Sequence, residues 1–339
     1  MELLSPSDAN LRRAGACLAS GGLVALPTET VYGLGADAFD VRAVARVFEA
    51  KARPNFDPLI VHIASLDQVE DVAQGVGRVA RTLMERLWPG PLTLILPRRP
   101  EVPDLVTSGL PTVALRLPAH PLARAIIAYS GTAVAAPSAN PFGYLSPTRA
   151  EHVARMLGDK VDLIVDGGAC GVGVESTVLD VTVDPPVVLR PGGMAVETIE
   201  ELIGRVRLGG TGSAPPVPVS PGQLDSHYAP RTPLFLFREG ELAERRAEAV
   251  ARGTERGAGR AAALLFDEAA LRRLGAAAAG FAEIRVLSPS GDTVEAAANL
   301  FARLHELDAL GLDSIWAERA PDRSLGRAIN DRLHKASTK

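Results

Sequence analysis

Residues 27–62, PTETVYGLGADAFDVRAVARVFEAKARPNFDPLIVH, hold the densest set of groups able to do chemistry. The hydroxyls of Thr28, Thr30 and Tyr32 precede Gly33 and Gly35, and Lys51 and Arg53 stand just before Pro54. Lysine occurs only at Lys51, Lys160, Lys335 and Lys339, and the other cations, histidine apart, are arginines. A lysine in so arginine-biased a chain fits a site that needs a compact ammonium rather than a planar fork. It fits equally a cation that ends a helix and favours its dipole. Arg116 lies in the apolar run TVALRLP, where a charge is costly unless paired. Its guanidinium there suits either a carboxylate or phosphate ligand or a structural ion pair. His62 sits inside LIVHI, where a satisfied core histidine is expected unless a ligand pocket opens beside it. PSAN at 137–140, VESTVLDV at 174–181 and LRPGG at 189–193 each put small polar groups at strand ends. Each reads either as a plain turn or as a set of hydroxyls and N–H groups offered to a ligand.

Several chemistries are excluded. No Gly-Lys dipeptide occurs, so there is no Walker-type phosphate loop. GLGADA at 33–38, GVGRVA at 75–80 and GAGRAA at 257–262 imitate half of a dinucleotide fingerprint, but none sits cleanly between strand and helix, and all three are expected to be turns. The six histidines form no HExxH or paired set, and Cys17 and Cys170 lack ligand spacing, so no protein metal site and a reduced, cytoplasmic chain are expected. No GxSxG nucleophile elbow is present. A net charge of −4 argues against coating nucleic acid by bulk charge, though it leaves local basic patches open. No apolar run approaches the roughly 20 residues that span a bilayer. The start MELLSPSDANLRRAG has no basic-then-apolar leader pattern.

The elements that must carry these residues follow from periodicity. A helix is expected from Ser7 or Asp8 to Gly21, and another over 41–51, stopped by Pro54. LVAL at 23–26, LIVHI at 59–63, LTLIL at 92–96, TVALRL at 112–117, TAVAAP at 132–137 and DLIVD at 162–166 read as buried strands, with helices near 77–88, 121–129 and 148–157. A chain of 339 residues is long for one core. Apolar periodicity is lost over 208–231, LGGTGSAPPVPVSPGQLDSHYAPR, and strands resume at PLFLF, AALLF, IRVL and SIWA with a clear helix over 292–310. The expected organisation is an α/β domain over 1–207, a linker over 208–231 and a small α/β domain with a parallel sheet over 232–339.

Taken in order, PTETVYGLGAD, KARPNFDPL, PSAN, ESTVLD and LRPGG resemble the threonylcarbamoyl-AMP synthases with the YrdC-type fold, closely over about residues 10–205. SHYAP at 226–230 and the trailing domain resemble the long, two-domain form. The resemblance implies a YrdC-type twisted mixed sheet with helices, a Rossmann-like second domain, and synthesis of threonylcarbamoyl-AMP and pyrophosphate from L-threonine, bicarbonate and ATP, with Mg2+ accompanying the ATP. It implies that Thr30, His62, Arg116, Ala136 and Ser176 hold threonine. It implies that Lys51, Arg53, Asp57, Thr112, Ser138, Asn140, Ser146, Arg190 and Tyr228 surround ATP, with Lys51 and Arg53 catalytic. Asp57 stands where the family commonly has asparagine; an acid beside phosphates is unfavourable unless it meets magnesium or ribose. Tyr228 and His227 make 208–231 a candidate lid. The product would pass to a tRNA-modifying threonylcarbamoyl transferase, with direct RNA contact left open. A non-enzymatic, double-stranded RNA-binding translation factor is the alternative, weakened by the acidic charge and the intact small-molecule motifs. A carbamoyl-transfer maturation domain is disfavoured by the lack of an acylphosphatase-like or zinc-finger segment.

Overall fold

The computed structural model describes residues 1–209, 228–252 and 260–338. These form two compact units, one of residues 1–142 and 146–209, the other of residues 143–145 and those from 228 on.

The first unit is built on a mixed sheet of eleven strands among the described residues. These are β1 (Glu2–Leu4), β2 (Val24–Leu26), β3 (Gly33–Asp37), β4 (Ile60–His62), β5 (Leu92–Pro97), β6 (Thr112–Arg116), β7 (Val134–Ala135), β8 (Leu163–Val165), β9 (Thr177–Asp180), β10 (Val187–Arg190) and β11 (Arg207–Leu208). Their order is β1-β8-β2-β3-β7-β4-β6-β5-β9-β10-β11. β4 and β6 pair in parallel, with His62 opposite Arg116, and β7 runs antiparallel to β4, with Val134 opposite His62.

Both faces of this sheet are covered, which is why its strands read as continuous apolar runs. Val24 and Leu26 pack with Leu11, Ala14 and Leu18 of α1 (Asp8–Ala19) and with the helix Pro121–Ser130. Their neighbours Leu23 and Ala25 point the other way, into a larger core with Val44, Val47 and Phe48 of α2 (Val41–Lys51). The side chain of Ser7 caps α1 by accepting from Asn10 N, and Asp40 caps α2. α2 ends on Ala52, whose φ of 51° lies in the left-handed region, and Pro54 prevents its continuation.

GLGADA is not a turn: its first five residues are β3, paired antiparallel with β2 and β7. Glycine serves packing here. A Cβ on Gly35 would stand 2.7 Å from Leu26 Cδ2 and 2.9 Å from Val134 Cγ1. Residues 75–77 are irregular, as expected, and the helix Arg78–Leu87 begins directly after them. Of GAGRAA, residues 257–259 lie outside the described residues and Ala261 opens a strand.

The second unit carries β12 (Leu234–Phe237), β13 (Ala261–Asp267), β14 (Glu283–Ser288) and β15 (Ser314–Glu318) in the order β12-β15-β13-β14, all parallel. Phe235 and Trp316 stack on it with ring centroids 4.8 Å apart. Of the segment 208–231, residues 210–227, His227 included, lie outside the described residues. Tyr228 belongs to this second unit, buried and 5.7 Å from the Phe301 ring, with the Arg332 guanidinium 5.0 Å from its own ring.

Candidate active site

The loop after β2 is stitched in place by backbone bonds. Tyr32 N donates to Pro147 O (2.9 Å), Leu34 N to Pro137 O (2.7 Å), Ala139 N to Tyr32 O (2.8 Å) and Val172 N to Glu29 O (2.7 Å). The Tyr32 hydroxyl donates to Gly168 O at 2.8 Å. Three segments distant in sequence, 27–34, 137–147 and 168–172, are thereby held together, and two polar clusters form around them.

The first cluster centres on Arg116 at the end of β6. Its Nη1 donates to Thr30 Oγ1 (2.9 Å) and its Nε to Gly90 O (3.2 Å), while Thr30 Oγ1 also lies 2.8 Å from Thr28 Oγ1. Nη2 stands 2.6 Å from Glu29 Oε1 but makes no aligned hydrogen bond. Both Glu29 oxygens and His62 Nδ1 are likewise buried without an aligned partner. His62 is therefore not the satisfied core histidine expected of an apolar strand. Burial, with Arg116 beside it, drives its pKa down to about 3, so the ring is neutral near pH 7. Burial pushes the Glu29 carboxyl up, but the Arg116 guanidinium outweighs it and the group ends below its ordinary range. Orphaned buried groups of this kind are rare in native folds.

The second cluster centres on Lys51, the last residue of α2, which is 1% exposed. Its ammonium donates to Ser138 O and Asn140 O, both at 2.5 Å. Burial first, then the neighbouring Arg53, holds its pKa well below the usual lysine range. Arg53 Nη2 pairs with Asp57 Oδ2 at 2.9 Å, both fully buried. Burial raises the Asp57 carboxyl, opposed by Arg53, Lys51 and Arg190. Arg190, at the end of β10, donates to Ser176 O (3.2 and 3.0 Å) and to Ser176 Oγ (3.3 Å). Ser176 Oγ lies 2.8 Å from Thr93 Oγ1. The Ser146 hydroxyl hydrogen-bonds the Glu175 carboxylate. Gly192 lets LRPGG close onto this segment, since a Cβ there would lie 2.3–2.4 Å from Glu175 O, Ser176 C and Thr177 N.

Most sequence candidates thus come together. Thr30, His62 and Arg116 share one cluster; Lys51, Arg53, Asp57, Ser138 and Asn140 share the other; Ser176 and Arg190 contact each other; Ala136 N is engaged with Ile60 O. Thr112 sits at the opposite end of β6 from Arg116 and makes no side-chain bond to either cluster. Glu29, Thr93 and Glu175 were not singled out from sequence, although two of them flank candidates directly. An acid between two threonines in an otherwise apolar strand-end segment was the available signal for Glu29. Among the described residues no group of three or more His, Cys, Asp or Glu could hold a metal ion, and no helix is long and apolar enough to cross a membrane.

A buried guanidinium paired with an acid, beside a buried lysine–arginine cluster on a mixed α/β sheet, makes a candidate small-molecule site. The family model Sua5_yciO_yrdC, described as "Telomere recombination", matches residues 16–192, and the model "Threonylcarbamoyl-AMP synthase, C-terminal domain" matches residues 194–338. The threonylcarbamoyl-AMP synthase of Pyrococcus abyssi is 43% identical over 96% of this chain and 94% of its own length, and that of Bacillus subtilis 45% identical over 98% and 94%. The crystal structure of P. abyssi Sua5 complexed with L-threonine aligns over 99% of this chain and 98% of its own, with a TM-score of 0.89 and 40% identity. This chain belongs to the Sua5/YrdC family of threonylcarbamoyl-AMP synthases. It is an enzyme of the nucleotidyltransferase class, and nothing in these relatives supports a purely RNA-binding role.

Proposed function

We propose that the two clusters bind L-threonine and ATP side by side and join them through bicarbonate into threonylcarbamoyl-AMP, releasing pyrophosphate. The observation that carries this reading is the buried Arg116 guanidinium, whose Nη2 has only an unaligned ion pair with Glu29 at 2.6 Å, in one cluster with His62 Nδ1, which has no hydrogen-bond partner. A threonine carboxylate would take the place of Glu29 on that arm through a charge-assisted hydrogen bond. Thr30, His62, Ser176 and the backbone near Ala136 hold the rest of the amino acid. Lys51, Arg53 and Arg190 face the phosphates, with Thr112, Ser138, Asn140 and Ser146 around the nucleotide.

Threonine's amine becomes a carbamate, and a carbamate oxygen attacks the α-phosphorus as pyrophosphate leaves. No protein nucleophile is required; positioning and charge stabilisation suffice. Lys51 and Arg53 supply that stabilisation and act as the catalytic pair. Magnesium arrives with ATP as part of the substrate, held by phosphate oxygens. The buried Asp57 carboxylate, paired with Arg53, offsets part of the local positive charge until the nucleotide arrives. In this reading Tyr228 stays with the ATP-binding residues and the segment 208–231 is a lid, between the domains expected at 1–207 and 232–339. The product supplies a tRNA-modifying threonylcarbamoyl transferase in the cytoplasm.

Pyrophosphate release is the test, with ATP present and threonine or bicarbonate omitted in turn. Release that needs both is expected; release unchanged without threonine overturns the reading.

A further inference from the structure

Glu29 is the most exposed to consequence of all the groups around Arg116. It is an acid with both oxygens buried and unaligned, set 2.6 Å from the guanidinium that the proposed substrate carboxylate must occupy. Two carboxylates compete for one fork. A charged carboxylate left without its cation in a buried place holds a proton far more readily. The incoming carboxylate also brings its own ammonium, bonded two bonds away from the carboxyl carbon, into the same space.

We infer that Glu29 is the base that takes the ammonium proton of threonine, and that threonine itself uncovers this base by displacing it from Arg116. The inference rests on the proposed seat of threonine at Arg116. The groups facing Glu29 leave no rival. Among the described residues Arg116 on β6 is the cation beside it. His62 on β4 is neutral near pH 7, its pKa driven down by burial. Cys170 is a buried thiol pushed up to about 12 and stays protonated. His120, also in the field of Glu29, is lowered by burial, and its Nδ1 accepts from Leu122 N. Against burial, which raises the carboxyl, Arg116 holds it charged before substrate arrives.

The chemistry balances. The ammonium N–H bond breaks and its proton goes to a Glu29 oxygen, leaving a neutral amine. Glu29 returns that proton to bicarbonate, which loses water and becomes carbon dioxide. The amine lone pair forms the N–C bond, one C=O pair moves onto oxygen, and the second N–H proton leaves to water. The sum is ammonium plus bicarbonate giving carbamate, water and one proton, with Glu29 regenerated.

The test is Glu29→Gln, which keeps size and removes basicity. Threonine binding by calorimetry should stay within about threefold of the original chain or tighten, because a competitor for Arg116 is gone. Turnover near neutral pH should fall at least about 100-fold, the lower range of general-base effects. The residual rate should climb about tenfold per pH unit where the amine deprotonates, unlike that of the original chain. Glu29→Asp, which keeps the base but shortens it, should retain part of the turnover. Unchanged turnover in Glu29→Gln overturns the inference. So does a loss confined to threonine KM without the pH dependence, which would make Glu29 a positioning group for Arg116. Both results are distinct from failure of the reading itself, in which the original chain would show no threonine- and bicarbonate-dependent pyrophosphate.

Discussion

Replacing Arg116 by lysine separates charge from geometry. The guanidinium uses Nη1 for Thr30 Oγ1 at 2.9 Å and Nε for Gly90 O at 3.2 Å, which leaves the Nη2 arm directed at Glu29. An ammonium keeps the positive charge but cannot hold Thr30, Gly90 and both oxygens of a substrate carboxylate in one plane. The loss is about one charge-assisted hydrogen bond to threonine, worth roughly 1.5–3 kcal/mol. At about 1.4 kcal/mol per tenfold, kcat/KM for threonine should fall roughly 10- to 150-fold. Lys51, Arg53 and Arg190 are untouched, so KM for ATP should move less than about threefold. Pyrophosphate release is measured while threonine and ATP are titrated separately, with threonine affinity read by calorimetry. If threonine and ATP parameters both stay at their original values, Arg116 does not seat the carboxylate. If ATP suffers more than threonine, the two clusters have been assigned the wrong way round.

His62 makes stability depend on pH in a defined direction. Its pKa is about 3 in the fold against an ordinary 6.5. Below 6.5 the unfolded chain takes the proton first, so stability is lost as pH falls from about 6.5 toward about 3, amounting to roughly 2 kcal/mol by pH 5. His62→Gln should flatten this part of the melting-temperature profile, and an identical acid slope in the variant would refute the assignment. Gly192→Ala drives a methyl into the backbone of Glu175, Ser176 and Thr177, at an expected cost of about 1–3 kcal/mol. Calorimetry should show a lower melting temperature together with a raised threonine KM through displaced Ser176; normal values for both would mean the loop has slack.

Where apolar period and punctuation agreed, the elements were legible. α2 spans the residues its valine spacing and Pro54 imply, and β4, β6 and β8 lie inside the apolar runs that announced them. β3 was hidden because glycine is a poor strand former, and only the tertiary squeeze between Leu26 and Val134 explains Gly35. β1, β10 and β11 are short pieces whose pairing partners lie far away in sequence or in weakly patterned stretches. The candidate clusters were legible through Arg116, a charge in an apolar run, and through Lys51, a rare lysine between a helix and a proline turn. Glu29 and Glu175 were not, since an acid beside threonine or serine is ordinary until the fold buries it. Nor does any local pattern reveal that residues 143–145 group with the second unit.

The strand order fixes when the site comes into being. β1 is the first element made, yet its partner β8 is translated about 160 residues later, and Arg190 of β10 later still. Glu29 and His62 emerge early and remain solvated until Arg116 arrives. Ser176 and the LRPGG turn come near the end of the first unit. Such distant pairings form late because loop closure precedes the contacts that reward it. A nascent chain cut or stalled before residue 193 therefore carries strands with open edges, a form prone to pairing with its neighbours. On the proposed reading, substrate stabilises the finished unit and cannot guide its earlier assembly.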